Sequence, residues 1–130
     1  MLQVGATNSW ERTFTEEDIR LFATISGDQG IHHITPNEQG RLMVHGLLTA
    51  TLPTKLGGDL NYIARELTFE FLRPVYVGDT IRCESTIASL EQQNGRLKMA
   101  STFTCHNQHG KEVLRGRSHG VILTPVEIDK

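Results

Sequence analysis

Two hydrophobic periodicities divide the chain. Thr15-Glu16-Glu17-Asp18 has the form of a capping box, with Thr15 as N-cap and an acidic side chain at the third helical position. Ile19, Phe22, Ala23 and Ser26 then share one face, which predicts a short amphipathic helix from about Glu16 to Ile25, ended by Gly27. The stretch from Ile34 to Val44 holds Pro36, Asn37 and Gly40 and is expected to be a loop. A second helix is predicted from about Val44 to Leu56. Its first half, Leu47-Leu48-Thr49-Ala50-Thr51-Leu52, is apolar or small on nearly every side, as befits a helix surrounded by protein. Pro53 removes a hydrogen bond and collides with the preceding turn, so a kink or early end is expected there, and Gly57-Gly58 closes the segment.

Beyond that point the period is two. Leu67, Phe69 and Phe71 alternate with Thr68 and Glu70, the pattern of a half-buried strand, which Arg73-Pro74-Val75-Tyr76-Val77-Gly78-Asp79 interrupts. Ile81, Cys83, Ser85 and Ile87 form the next alternating face. Asn94-Gly95 is a hairpin signal, and Leu97, Met99, Ser101, Phe103 and Cys105 follow it. Asn107-Gln108-His109-Gly110 turns the chain into a last strand, about Glu112 to Leu123. A long antiparallel meander preceded by an apolar helix predicts an α+β fold in which a curved sheet wraps that helix.

Length and composition narrow the class. The 130 residues are expected to form one domain, residues 1–130, with a core that needs neither disulfide nor metal. A net charge of -2 without a basic run argues against a nucleic-acid or membrane-surface partner. No apolar stretch nears the roughly 20 residues that span a bilayer, and Met1 to Trp10 holds no signal-peptide core. Cys83 and Cys105 fall in apparent strands and read as small buried hydrophobes of a reducing compartment, not as a disulfide or metal site. A cytoplasmic location is expected.

The candidate chemistry lies in Ser26-Gly27-Asp28-Gln29-Gly30-Ile31-His32-His33 and in His45-Gly46-Leu47-Leu48, twelve residues on. Asp28 and His33 are suited to act as an acid–base pair. Five helical steps rotate about 140° off the starting face, so the two side chains cooperate only across an irregular turn, for which Gly27 and Gly30 supply the freedom. By spacing alone, a loop-capping Asp28 and a surface His33 are the commoner arrangement. His32 competes with His33; adjacent positions point different ways, so one of the two is expected to face a site. Gly46 offers an unshielded N–H at a helix start, placed for a developing oxyanion. The histidines lack HExxH or knuckle spacing, so no metal is expected. His119 is expected to be a core or groove histidine. Lys55, Arg65, Arg115 and Arg117 are scattered charges.

Taken together, these residues resemble the MaoC-like dehydratase family, the (R)-specific enoyl-CoA hydratases of the hotdog fold. The resemblance rests on Phe14-Thr15, Asp18-Ile19, Phe22-Ala23, Ser26-Gly27-Asp28, His33, Val44-His45-Gly46-Leu47-Leu48-Thr49-Ala50 and Arg73-Pro74-Val75-Tyr76-Val77-Gly78-Asp79-Thr80, in that order. It implies reversible hydration of a trans-2-enoyl thioester to the (R)-3-hydroxyacyl thioester. It places the catalytic carboxylate at Asp28 and the catalytic imidazole at His33, and the donor to the thioester carbonyl at Gly46. Ser26, Gly30, His45 and Leu48 are the neighbouring substrate-binding candidates. It further implies an acyl-CoA or acyl-carrier-protein substrate, no separate cofactor, and a homodimer or higher homo-oligomer joined at sheet edges.

The chain departs from the family pattern Asp-x-Asn-Pro-apolar-His at two positions. Gly30 stands where relatives carry Asn, and Ile31 where they carry Pro. Two other functions compete. A hotdog thioesterase usually places a carboxylate or Asn near the central helix, and no acidic residue lies between Val44 and Gly58. A non-catalytic acyl-thioester binder would have lost the Asn-Pro support.

Overall fold

The computed structural model describes residues 2–123. Helix α1 (Glu16–Ser26) begins with the capping box the sequence spells out: Asp18 N donates to Thr15 Oγ1 (3.2 Å) and Thr15 N to Asp18 Oδ2 (2.9 Å). Arg12 Nη2 adds a 2.6 Å contact to Asp18 Oδ1. Gly27 stops the helix at φ 77, a left-handed conformation that glycine adopts without a Cβ clash.

Partial burial opposes the charge on Asp18, but the Thr15 N–H and the Arg12 guanidinium outweigh it and hold the carboxyl below its ordinary value. A depressed native pKa stabilises the fold above the unfolded value, near ~3.9, and that stability is lost as pH falls through the native one. Asp18→Asn is therefore expected to lower stability by about 1 kcal/mol at pH 7. The deficit should close below about pH 4. Thermal melts across this pH range check it.

One predicted helix becomes two, α3 (Gly46–Thr49) and α4 (Thr51–Gly58), parted at Ala50. Pro53 explains the break. Its missing N–H would have bonded the Thr49 carbonyl, and its ring crowds that same group. The second piece runs through Gly58.

A single sheet has the order β1-β3-β4-β5-β2, every pairing antiparallel. The strands are β1 (Thr7–Thr13), β2 (Tyr62–Phe71), β3 (Thr80–Gln93), β4 (Arg96–His106) and β5 (Glu112–Ile122). Strands β3, β4 and β5 form the expected meander, and Asn94 and Gly95, at φ 53 and 77, make its tight first turn. The full meander is corrected at the edges. β2 pairs with β5 instead of β3, and β1, whose polar sequence shows no alternation, takes the other edge.

Helix α4 packs against β1, β2 and β3, that is, against both edge strands and one from the interior. One helix reaches both edges only if the sheet curls around it. Leu52 and Leu56 enter the core beside Phe14, Ile81, Phe103 and Leu114. Full burial of a side chain such as Leu52 is worth roughly 1.5–3 kcal/mol. Cys83 and Cys105 sit directly opposite each other on β3 and β4, fully buried free thiols, and the contact with Cys83 and burial push the Cys105 thiol up. Among the described residues no helix is long and apolar enough to cross a membrane.

Candidate active site

The end of α1 delivers Asp28 into a tight turn, and short helix α2 (Ile31–Ile34) follows at once. Ser26 Oγ accepts from Asp28 N (3.0 Å), Asp28 Oδ1 accepts from Gly30 N (3.1 Å), and Gly30 O accepts from His33 N (2.9 Å). This Asx-type turn reverses the chain and brings His33 Nε2 to 3.9 Å from Asp28 Oδ2. The Gly30 N–H chiefly holds the Asp28 carboxyl below the ordinary range; slight burial opposes this, and His33, His45 and His32 assist.

Backbone carbonyls assign the tautomers. His33 Nδ1 lies 2.8 Å from Met43 O, and a carbonyl only accepts, so Nδ1 carries the hydrogen. Nε2 of the neutral ring then turns its lone pair toward Asp28. His45 Nε2 likewise donates to Asp28 O (2.9 Å). The His33 and His45 rings stack at 3.8 Å with planes 16° apart. His45 Nδ1 is buried and finds no partner among the described residues.

Asp28, His33 and His45 offer ligand atoms within 4.8 Å of one another. The ring stack does not suit a shared ion, because an imidazole binds metal along its in-plane lone pair and these two planes run parallel.

The segment after β2 clamps the loop that carries these groups. Met43 bridges Tyr76, Val44 N donates to Val75 O (2.7 Å), Val77 N to Leu42 O (3.0 Å), and Met43 N to His32 O (3.1 Å). The non-sequential position of β2 thus has a local consequence: the link from β2 to β3 crosses the site and fixes the carbonyl that orients His33.

A cavity of about 370 Å³ opens beside His33, lined by His32, Gly46, Thr49, Phe71 and Arg73 among others. Gly46 is the first residue of α3, so its N–H precedes the helical ladder. A Cβ there would stand 2.8 Å from the Phe71 ring, so glycine serves close packing.

Four expectations change. His32 and His33 line the same cavity, with ring centroids 3.9 Å apart, although adjacent residues were expected to diverge; the tight turn of α2 overrides that rule. Leu48 is buried in the core, and the helix residue facing the cavity is Thr49, three positions from Gly46 and on its face. Ser26, Gly30 and His45 act on Asp28 itself: Ser26 Oγ accepts from the Asp28 N–H, Gly30 N donates to its carboxylate, and His45 Nε2 donates to its carbonyl. His119 is not in the core: it is exposed on the outer face of the sheet, 3.1 Å from Glu66, where it lines an open groove with Arg65 and Lys98, so the groove half of the expectation holds. Lys55 pairs with Asp59, and Arg115 with Glu70.

Thr49 was recoverable from the sequence by counting three from Gly46. Phe71 and Arg73 carry no such signal, since only the sheet order brings them here.

Residues 4–108 match the model of the MaoC like domain. The chain belongs to the MaoC-like family. This MaoC-like domain is 30% identical over 112 residues to a 3-hydroxybutyryl-CoA dehydratase of Methylorubrum extorquens, spanning 78% of this chain and 70% of that one. It is 28% identical over 128 residues to an (R)-specific enoyl-CoA hydratase of Rhodospirillum rubrum, covering 90% of this chain and 85% of the relative. Its fold matches a solved (R)-hydratase from A. caviae with a TM-score of 0.82 at 25% identity, over 92% of this chain and 96% of that one. The curled sheet around α4 is the hotdog fold of these hydratases, and the family is one of hydratases and dehydratases, hydro-lyases by reaction type.

Proposed function

We propose that this MaoC-like domain hydrates trans-2-enoyl thioesters reversibly to (R)-3-hydroxyacyl thioesters, with Asp28 and His33 as the catalytic pair. The observation that carries the reading is the 3.9 Å gap between His33 Nε2 and Asp28 Oδ2, both hydrogen-bond acceptors. A water at ordinary hydrogen-bond length from each would subtend about 90° between them, near its own H–O–H angle. Both its hydrogens are then engaged, and a lone pair is free to attack.

As oxygen adds to C3 of the enoyl group, His33 takes the water proton, and negative charge develops on the thioester oxygen. Gly46 N–H stabilises that oxyanion. The pair returns the proton to C2, which balances the addition. The thiol arm, from CoA or a carrier protein, stays on the substrate, and no separate cofactor enters.

A second cavity, about 280 Å³, lies under the sheet against α4 and is lined by Pro53 and Gly57 among others. Thr49 of α3 lines the first cavity and Pro53 and Gly57 of α4 the second, so the two cavities lie along the successive helices, a path suited to an apolar acyl chain. Edge strand β2 exposes Ile63, Leu67 and Phe71, which supports a homodimer joined there.

The test is incubation with crotonyl-CoA and a longer enoyl-CoA, following both the conjugated enoyl absorbance and free thiol. Loss of absorbance without thiol release is the expected result. Thiol release would replace the reading with a thioesterase, and binding without turnover would replace it with a carrier or sensor.

A further inference from the structure

Position 30 is a glycine, and the space above it is not empty. A Cβ built on Gly30 would lie 3.0 Å from His32 Cε1, 3.5 Å from His32 Nδ1 and 3.4 Å from Asp28 Oδ1. Gly30 itself has φ -54, a conformation open to any residue, so backbone strain is not what calls for glycine. The room a side chain would need is taken by the imidazole of His32. That ring also meets the His33 ring at 3.9 Å and 53°, and it lines the His33 cavity.

We propose that His32 is a second functional histidine of this site, a positioning residue whose imidazole occupies the space over Gly30 and holds the Asp28/His33 pair in its working geometry. The proposal rests on the hydratase reading for its effect on rate, and on geometry alone for its effect on His33.

The ring walls the turn, closing the gap left by glycine so that the Asp28 carboxylate and the His33 ring keep their approach. It also helps to hold the Asp28 carboxyl below its ordinary value, after the Gly30 N–H. Asp28 Oδ1 borders the space over Gly30 from the turn, at ordinary contact distance, and the closer neighbour is His32. His45 stacks on His33 from the start of α3, and Arg73 lines the cavity from beyond β2.

The His32 side chain is exposed, so its removal is expected to leave the fold intact. His32→Ala should lower kcat on an enoyl thioester about tenfold, with KM little altered and melting temperature unchanged. The His33 ring proton signals, compared by NMR at one fixed pH, should move, because the ring 3.9 Å away that shields them is gone.

Adding Gly30→Asn to His32→Ala places a polar side chain in the vacated space and should recover a third or more of the lost rate. Unchanged kcat in His32→Ala, unmoved His33 ring signals, or no recovery in the double variant each overturns the proposal. If the unsubstituted protein hydrates no enoyl thioester, the hydratase reading falls, and the His33 ring signals alone then decide on His32.

Discussion

His33→Ala is expected to abolish turnover of enoyl thioesters, with a loss of 10²–10⁴-fold in kcat, the range typical of a positioned general base. The ring contributes an acceptor at Nε2 that no neighbour replaces. His45 spends Nε2 on the Asp28 carbonyl and stacks parallel to His33. The variant also leaves the Met43 carbonyl without its donor inside a largely buried site, a penalty of about 1–3 kcal/mol. A thermal melt measured beside the kinetics separates the two effects: a folded, inactive variant supports the role, and a folded variant with near-full activity removes His33 from the mechanism.

Asp28→Asn is the second large loss, and it is the more selective change. An asparagine Oδ1 still accepts from Gly30 N, so the turn that presents His33 survives. What changes is the atom facing His33. A carboxylate oxygen that accepts from water gives way to an amide NH₂ that donates, and the water can no longer present both hydrogens to the pair. At least a hundredfold loss in kcat is expected, with KM little altered and stability unchanged, since Asp28 is largely exposed. Because the Gly30 N–H holds the carboxyl below the ordinary carboxylate range, Asp28 is charged throughout about pH 5 to 9. The loss in Asp28→Asn should therefore be nearly constant across that range. A deficit that vanished at its acid end would mean that Asp28 works as a protonated acid instead.

Features held within a few residues were legible in the sequence. The capping box at Thr15, the Gly27 stop and the Asn94-Gly95 turn each follow from local backbone chemistry and appear where expected; the interruption expected at Pro53 falls at Ala50 instead, and the helix continues through Pro53 to Gly58. The turn from Ser26 to His33 is only partly of this kind: its hydrogen bonds span two or three residues, but Gly30 holds an ordinary φ of -54, and His33 takes its direction from the Met43 carbonyl, ten residues on.

Other features depend on residues far apart in the chain. Strand β1 forms because β3 offers an open edge, not because Thr7–Thr13 alternates. Thr49, not Leu48, lines the cavity, because helical phase turns it toward a far wall, Phe71 and Arg73, that arrives only when β2 pairs with β5. His32 is the sharpest case. Its neighbour in sequence suggested divergent directions, yet α2 is one turn long and its start lies over a glycine, so the ring folds back onto the site.

The sequence by itself determined helix α1, its Gly27 stop and the hairpin turns, because short-range hydrogen bonding and steric limits decide them. The tertiary structure alone decided which strands pair, which carbonyl orients His33, and which side chains close the cavity, because those contacts join segments whose meeting is set by burying one continuous core.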